Sequence, residues 1–191
     1  KNCKRKNMNK FVSIHKNAQI GKNLTIDNFS SIHDNVIIGD NCWIGSNVTI
    51  YPGARIGSNC QIFPGAVISA IPQDLKFKDE ETTTIIGNNV IIRECVTINR
   101  GTIYHNKTTV GDNCFLMAYS HVAHDCILKN NVIVANGVAI AGHVEIDEYA
   151  IIGGLSAIQQ FSKIGKFSMV SGGSLVRKNV PPYIKVAKEP L

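Results

Sequence analysis

The sequence predicts an all-β protein, a parallel β-helix built from hexapeptide repeats. Three observations carry the prediction. An aliphatic residue returns at every sixth position, a small residue returns four places after it, and glycine often stands directly behind it. An α-helix repeats every 3.6 residues and a pleated strand every 2, so neither needs a period of six. A solenoid of short flat strands joined by corners does.

The aliphatic series runs from Ile14 through Ile20, Ile26, Ile32, Ile38, Ile44, Ile50, Ile56 and Ile62 to Ile68. A short run follows at Ile86, Ile92 and Ile98. The third holds Val110, Leu116, Val122, Leu128, Val134, Ile140, Ile146, Ile152, Ile158, Ile164, Val170 and Val176, in the same phase. Three hexapeptides make one triangular coil of about 18 residues in such folds. The span then holds about nine coils, stacked about 4.8 Å apart. Residues 1–13 read as a basic N-terminal extension, 14–180 as the β-helix, and 181–191, beyond Val180-Pro181-Pro182, as an irregular tail.

The second series is Ala18, Ser30, Cys42, Ala54, Cys60, Ala66, Cys114, Ser120, Cys126, Ala150, Ser156, Ser162, Ser168 and Ser174. An inward-pointing corner has room for little more. The third series (Gly21, Gly39, Gly45, Gly57, Gly87, Gly111, Gly153, Gly165) suits a turning backbone. Six cysteines invite a disulfide or zinc reading, but Cys42, Cys60, Cys114 and Cys126 fall in the small-residue slot and read as compact core. Cys42 and Cys60 lie one coil apart.

Two segments leave the pattern, 69–85 with proline, charge and a threonine run, and 99–109, which is polar. Both keep the six-residue phase across the gap. Loops thrown from a rigid solenoid are where binding residues tend to sit.

At 191 residues and 44% hydrophobic, the chain is one domain with an ample core. It carries no stretch of transmembrane length and no secretory signal before the repeats, so a cytoplasmic protein is expected. The net charge of +6 is concentrated at the ends, in Lys1, Lys4, Arg5, Lys6 and Lys10 and in Arg177, Lys178, Lys185 and Lys188. This suits either solvated ends or an acidic partner. No aromatic interleaving or recognised module supports nucleic acid.

Residues just before each aliphatic should point outward. Sorted by 18, they give three faces. Phe115, Ile133, Ile151 and Met169 make an apolar stripe that a monomer should not show to water, which predicts an oligomer, a trimer for a three-sided prism. His121, Ala139, Ala157 and Leu175 make a groove floor flanking a histidine. Ile127, Glu145 and Lys163 make a solvated face with an ion pair.

The segment with most chemistry is Tyr119-Ser-His121-Val-Ala-His124-Asp125-Cys126, followed one coil later by Ala141-Gly142-His143 and one more by Gln159-Gln160. Positions 124, 142 and 160 should stack. An imidazole beside a carboxylate suits proton removal from a hydroxyl, and a glycine beside it leaves an N–H for a developing oxyanion. Alternatively His121, His124 and His143 make a three-histidine metal site, although H-x-x-H on a bent coil does not aim two rings at one ion. No functional metal is expected.

The runs Ile71-Pro-Gln-Asp74-Leu-Lys76, Ile92-Arg-Glu-Cys-Val-Thr-Ile-Asn-Arg-Gly-Thr102, His121-Val-Ala-His124-Asp125-Cys126, Ala139-Ile-Ala-Gly142-His143-Val, Ile151-Ile-Gly-Gly154 and Val180-Pro-Pro-Tyr183 resemble the acyl-carrier-protein–UDP-N-acetylglucosamine O-acyltransferases. That family performs the first step of lipid A biosynthesis. The resemblance runs in order from about Ile14 onward. It implies a left-handed β-helix, a homotrimer with active sites between subunits, acyl carrier protein and UDP-N-acetylglucosamine as partners, and no cofactor beyond the carrier thioester. By position it makes His124 the general base, Asp125 its orienting carboxylate and Gly142 the oxyanion donor. It makes Asp74, Lys76, His121, His143, Gln159 and Gln160 substrate contacts, and places Gly172, near Met169, at the far end of an acyl groove. Gln159 stands where the family often has histidine, as does Asn99 in some members. The family's usual C-terminal helical domain is missing from these 191 residues. Competing readings are the N-acyltransferase of the same pathway, a β-helical carbonic anhydrase, and a non-catalytic trimeric scaffold.

Overall fold

A computed structural model describes residues 11–187. Among these, twenty-six strands of two to four residues run from Ser13–Ile14 to Lys185–Val186, and there is no helix. All pair in parallel, in three sheets of nine, eight and nine strands. Successive strands as far as Leu175–Val176 fall to the three sheets in turn, so each sheet is one face of a prism and the chain winds as a left-handed parallel β-helix. No helix of the described residues is long and apolar enough to cross a membrane.

The core follows from the period. Every aliphatic of the series from Ile26 to Val176 is buried, and each stacks on its counterpart one coil away, as Ile26 on Ile44 and Ile152 on Val170. Burying such a side chain is worth about 1.5–3 kcal/mol, gathered one layer at a time along the solenoid. Ile14 is only half-buried and Ile20 is 36% exposed. The strand Gln19–Ile20 is the edge of its sheet, so no strand of the described residues covers that side of it.

The small-residue slot is buried from Ser30 onward. Several of its polar members donate to turns of the next coil: Ser30 Oγ to Gly45 O at 2.7 Å, Cys42 Sγ to Gly57 O at 3.2 Å, Cys126 Sγ to Ala141 O at 3.1 Å. Burial pushes the Cys114 thiol up to about 11 and the Cys126 thiol up to about 12, so both are protonated, unreactive core groups.

Glycine behind the aliphatic answers to close approach and not to turning. Gly39 has no left-handed backbone, and a Cβ on it would lie 2.7 Å from the Gly57 carbonyl carbon. The left-handed corner falls two residues later, where Asn23, Asn41, Asn59, Asn89 and Asn113 hold φ between 55° and 60°. Asparagine tolerates that region better than most residues. Its amides also pair between coils, Asn23 Nδ2 donating to Asn41 Oδ1 and Asn89 Nδ2 to Asn113 Oδ1, both at 3.1 Å.

The two excursions are shorter than expected. Ile68 pairs with Ile98, 30 residues on, and Ile98 with Val122, 24 on, where 18 is the rule elsewhere. The surplus is two hexapeptides and one, which is why the phase survives. The segment expected over 69–85 shrinks to 71–82 and that over 99–109 to 100–106, because Thr83–Ile86 pairs residue for residue with Lys107–Val110. The tail is not irregular throughout either. Val180 bridges to Ile164, and Lys185–Val186 pairs with Met169–Val170, extending the stack past the two prolines. At the other end Ser13 already belongs to the first strand, while residues 1–10 of the basic extension, with Cys3, lie outside the described residues.

The three outer faces stand as sorted. Phe115, Ile133, Ile151 and Met169 are in register on one sheet, with Ile91 before them. His121, Ala139, Ala157 and Leu175 are in register on the second. On the third, Lys163 Nζ meets Glu145 Oε1 at 3.0 Å.

Candidate active site

The site occupies one corner of the prism, in the turn between the strands His121–Val122 and Ile127–Leu128 and in the turns stacked on it. His124 and Asp125 sit in that turn, buried, with Asp125 in the left-handed region at φ 59°. One coil later His143 takes the same corner position at φ 62°, and one more coil on Phe161 takes it at φ 66°. The backbone ties these layers together: His143 N donates to His124 O at 3.1 Å and Phe161 N to Gly142 O at 3.2 Å.

Asp125 is the electrostatic centre. Its Oδ2 accepts from His124 Nδ1 at 2.8 Å and from the Thr102 hydroxyl at 2.6 Å. Its Oδ1 accepts the backbone N–H of Thr102 at 3.0 Å and of His105 at 3.1 Å. Burial alone would raise its pKa, but the bonds from His124, Thr102 and His105 outweigh it and hold the carboxyl at about 2. Asp125 is therefore an anion at neutral pH, and His124 donates to it through Nδ1.

Three other histidines surround this pair. His121 Nδ1 lies 2.7 Å from Thr97 Oγ1, and burial, assisted by His124, holds its imidazole below the usual range. His143 stacks on Phe161, rings 4.5 Å apart and 8° from parallel, with Tyr104 and His124 edge-on at 4.8 and 5.0 Å. Burial holds its imidazole below the usual range too, partly offset by Asp125. Its buried Nδ1 has no hydrogen-bond partner and stands 3.9 Å from Asp125 Oδ2. His105, the third, has its ring centre 6.2 Å from that of His143.

Gly142 lies against the His124 ring. Its N–H has no intramolecular acceptor among the described residues. An imidazole with a free Nε2 and an open backbone donor thus share one corner of the prism.

The more distant candidates fall into place unevenly. Asp74, on the 71–82 excursion, is close enough for its charge to act on His143, and its Oδ1 accepts from Lys76 N at 2.9 Å. Gln160 stands one coil beyond Gly142, and both Gln159 and Gln160 are exposed, with no hydrogen bond to His124 or His143. Met169 and Gly172 lie about two and a half coils from His124, or about 12 Å along the axis. Met169 is half-exposed between Ile151 and Lys185, and a Cβ on Gly172 would lie 3.0 Å from Gly154 O.

For a metal, the cluster that gathers is His124, Asp125 and His143, whose ligating atoms lie within 4.8 Å of one another, and not the three histidines 121, 124 and 143. An ionised carboxylate has about four acceptor sites, and Asp125 already fills four with protein donors. An ion there would have to displace them.

Sequence reasoning passed over Thr97, Thr102, Tyr104, His105 and Phe161. Thr102 and His105 come from the 100–106 excursion, which folds back over the corner. A buried Asp125 needing donors was the available signal, but which loop supplies them depends on coil register.

The sequence carries matches to the bacterial transferase hexapeptide (six repeats) family at residues 35–70 and 107–142. It is 64% identical over 120 residues to an acyl-[acyl-carrier-protein]–UDP-N-acetylglucosamine O-acyltransferase of Trichlorobacter lovleyi, covering 62% of this chain and 46% of that protein. It is 46% identical over 128 residues to one of a Synechocystis strain, covering 67% and 46%. The chain therefore spans under half the length of these curated relatives. Among solved structures, the UDP-N-acetylglucosamine acyltransferase of Bacteroides fragilis superposes with a TM-score of 0.95 at 49% identity, covering 96% of this chain and 72% of that one. The Acinetobacter baumannii structure gives 0.94 at 40% identity, covering 95% and 71%. With the same coil over most of both chains and this degree of identity, the chain belongs to the UDP-N-acetylglucosamine O-acyltransferase family.

Proposed function

We propose that the chain transfers a 3-hydroxyacyl group from acyl carrier protein to the 3-hydroxyl of UDP-N-acetylglucosamine, the first step of lipid A biosynthesis. The observation that carries this reading is the His124–Asp125 pair beside the open Gly142 N–H. His124, donating to Asp125 through Nδ1, takes the hydroxyl proton on Nε2 as the sugar oxygen attacks the thioester carbonyl. Asp125 stabilises the imidazolium that forms. The carbonyl oxygen becomes an oxyanion and takes the Gly142 N–H. Collapse forms the ester, breaks the C–S bond, and returns the proton from His124 to the departing thiolate. The chemistry needs no metal and no cofactor beyond the carrier thioester.

His121, His143, Gln159, Gln160, Asp74 and Lys76 hold the nucleotide sugar, and Met169 and Gly172 mark the far end of the acyl groove. Three copies pack through the Phe115–Ile133–Ile151–Met169 stripe, with a site at each seam. The basic residues toward the C-terminus suit an acidic carrier protein, and a carrier-dependent reaction places the protein in the cytoplasm.

The test is to incubate the full chain with UDP-N-acetylglucosamine and a 3-hydroxyacyl carrier protein, with and without a chelator. Ester formation insensitive to chelation is expected. Acylation of an amine acceptor alone would favour the N-acyltransferase. No turnover together with a stable trimer would favour the scaffold, and activity lost to chelation and restored by zinc would reinstate a metal.

A further inference from the structure

The proposed reaction leaves Asp125 to orient His124, and something must in turn hold Asp125. Four donors reach its carboxylate, and two of them belong to one residue, Thr102. Thr102 is buried in the 100–106 excursion, while Ile103, Tyr104 and His105 beside it are exposed. Its hydroxyl has a set polarity. Tyr104 N donates to Thr102 Oγ1 at 3.3 Å, so the hydroxyl hydrogen is left for Asp125 Oδ2 at 2.6 Å. The excursion is closed by Asn106 N donating to Thr102 O at 2.8 Å. The strand Lys107–Val110 that follows it supplies Thr108, whose Oγ1 accepts Asp125 N at 2.9 Å. The excursion and this strand thus hold Asp125 by both its carboxylate and its backbone.

We propose that Thr102 is the positioning residue of the pair: its N–H and hydroxyl fix the Asp125 carboxylate so that His124 carries its ring proton on Nδ1 and keeps Nε2 for the substrate hydroxyl. This rests on the acyltransferase reading for its consequence, not for its geometry. A carboxylate that accepts from Thr102 on both oxygens cannot turn. The His124 ring can then meet it only as a donor, which decides the tautomer. Removing the hydroxyl takes one charge-stabilising bond from Oδ2. The carboxylate is freed to turn away from Nδ1, so it holds the ring proton there less firmly and stabilises the imidazolium less. The other ionisable groups around His124 are His121 on its own coil, His143 on the next, His105 on the excursion, and Asp74, which acts on His143. None of them bonds to Thr102.

The experiment compares the full chain with Thr102→Val and Thr102→Ser. Its first readout needs no substrate: the nitrogen NMR spectrum of the histidines, with His124 assigned by His124→Gln. The native protein should show His124 protonated on Nδ1 at neutral pH, Thr102→Val a mixed or Nε2-protonated ring, and Thr102→Ser the native pattern. The second readout is the pH–rate profile. Thr102→Val should lower kcat about tenfold, the scale of one hydrogen bond to a charged group. KM should be little changed, the acid limb should move to lower pH, and Thr102→Ser should restore both. If Thr102→Val does not fold, Thr102→Ala is read in the same way. A native ring protonated on Nε2 overturns the proposal whatever the variants do. A valine variant with lower Tm but an unmoved tautomer and acid limb overturns it as well, leaving Thr102 a structural residue. Native and variant tautomers as expected, without acyl transfer by the native chain, would uphold the positioning and count against the proposed reaction.

Discussion

The His124 imidazole stands where a Cβ on Gly142 would be, with Cε1 at 2.6 Å and Nε2 at 2.7 Å from that point. The proposed base and the proposed oxyanion donor are therefore in contact across one coil step, and each limits the other. Gly142→Ala should push the ring off Nε2 alignment while Asp125 holds its other edge. The backbone at Gly142 is not left-handed, so the β-helix should survive. We expect the melting temperature to change little and kcat to fall about a hundredfold, the cost of a misplacement near 1 Å. An alanine variant of near-native rate would show that the ring yields freely.

His124→Ala should leave the coil intact, because residue 124 lies outside the repeating core slots. Loss of a general base costs about 10²–10⁴-fold in turnover. His121→Ala should cost less, since His121 is bonded to Thr97 and not to Asp125. Near-full turnover in His124→Ala, with His121→Ala or His143→Ala inactive, would move the base elsewhere.

Asp125 gives a pH dependence of defined sign. Its folded value of about 2 lies below the ordinary 3.8. The stability it contributes is present in full above about pH 4 and is lost as pH falls toward 2. Denaturant midpoints of the native protein should drop across that interval more steeply than those of Asp125→Asn. The same variant should lose activity, on the order of 10⁴-fold for this change in a comparable triad, because an amide facing Nδ1 favours the wrong tautomer.

Ile133 stands in register between Phe115 and Ile151 on the outer apolar stripe. Ile133→Asp should weaken assembly before it disturbs the coil, since the inward neighbour Val134 is untouched and fully buried. Sedimentation should show a trimer giving way to a monomer with unchanged circular dichroism. A native chain that is a stable monomer at micromolar concentration would remove the trimer.

Gly172→Met should shorten the longest acyl chain accepted. The new Cβ would lie 3.0 Å from Gly154 O, tight but open enough for a side chain to project. Competition between carrier proteins bearing different chains would read this out. An unchanged preference would place the length limit at another residue.

The six-residue period by itself determined the coil, because a buried aliphatic column admits only one register and a slip by one residue would turn the whole core outward. It gave the stacking of residues 124, 142 and 160, the apolar stripe and the Glu145–Lys163 pair without coordinates. The same period also held the asparagine ladder, whose spacing was visible but whose left-handed corners needed the structure for their meaning. The excursions were the reverse case. Their lengths kept the phase, but segments without a repeat carry no register, so nothing in Arg100-Gly-Thr102-Ile-Tyr104-His105 said where it would land. Only the fold put Thr102 and His105 on Asp125, and Tyr104 and Phe161 around His143, because those contacts join residues whose separation in sequence has no period to predict it.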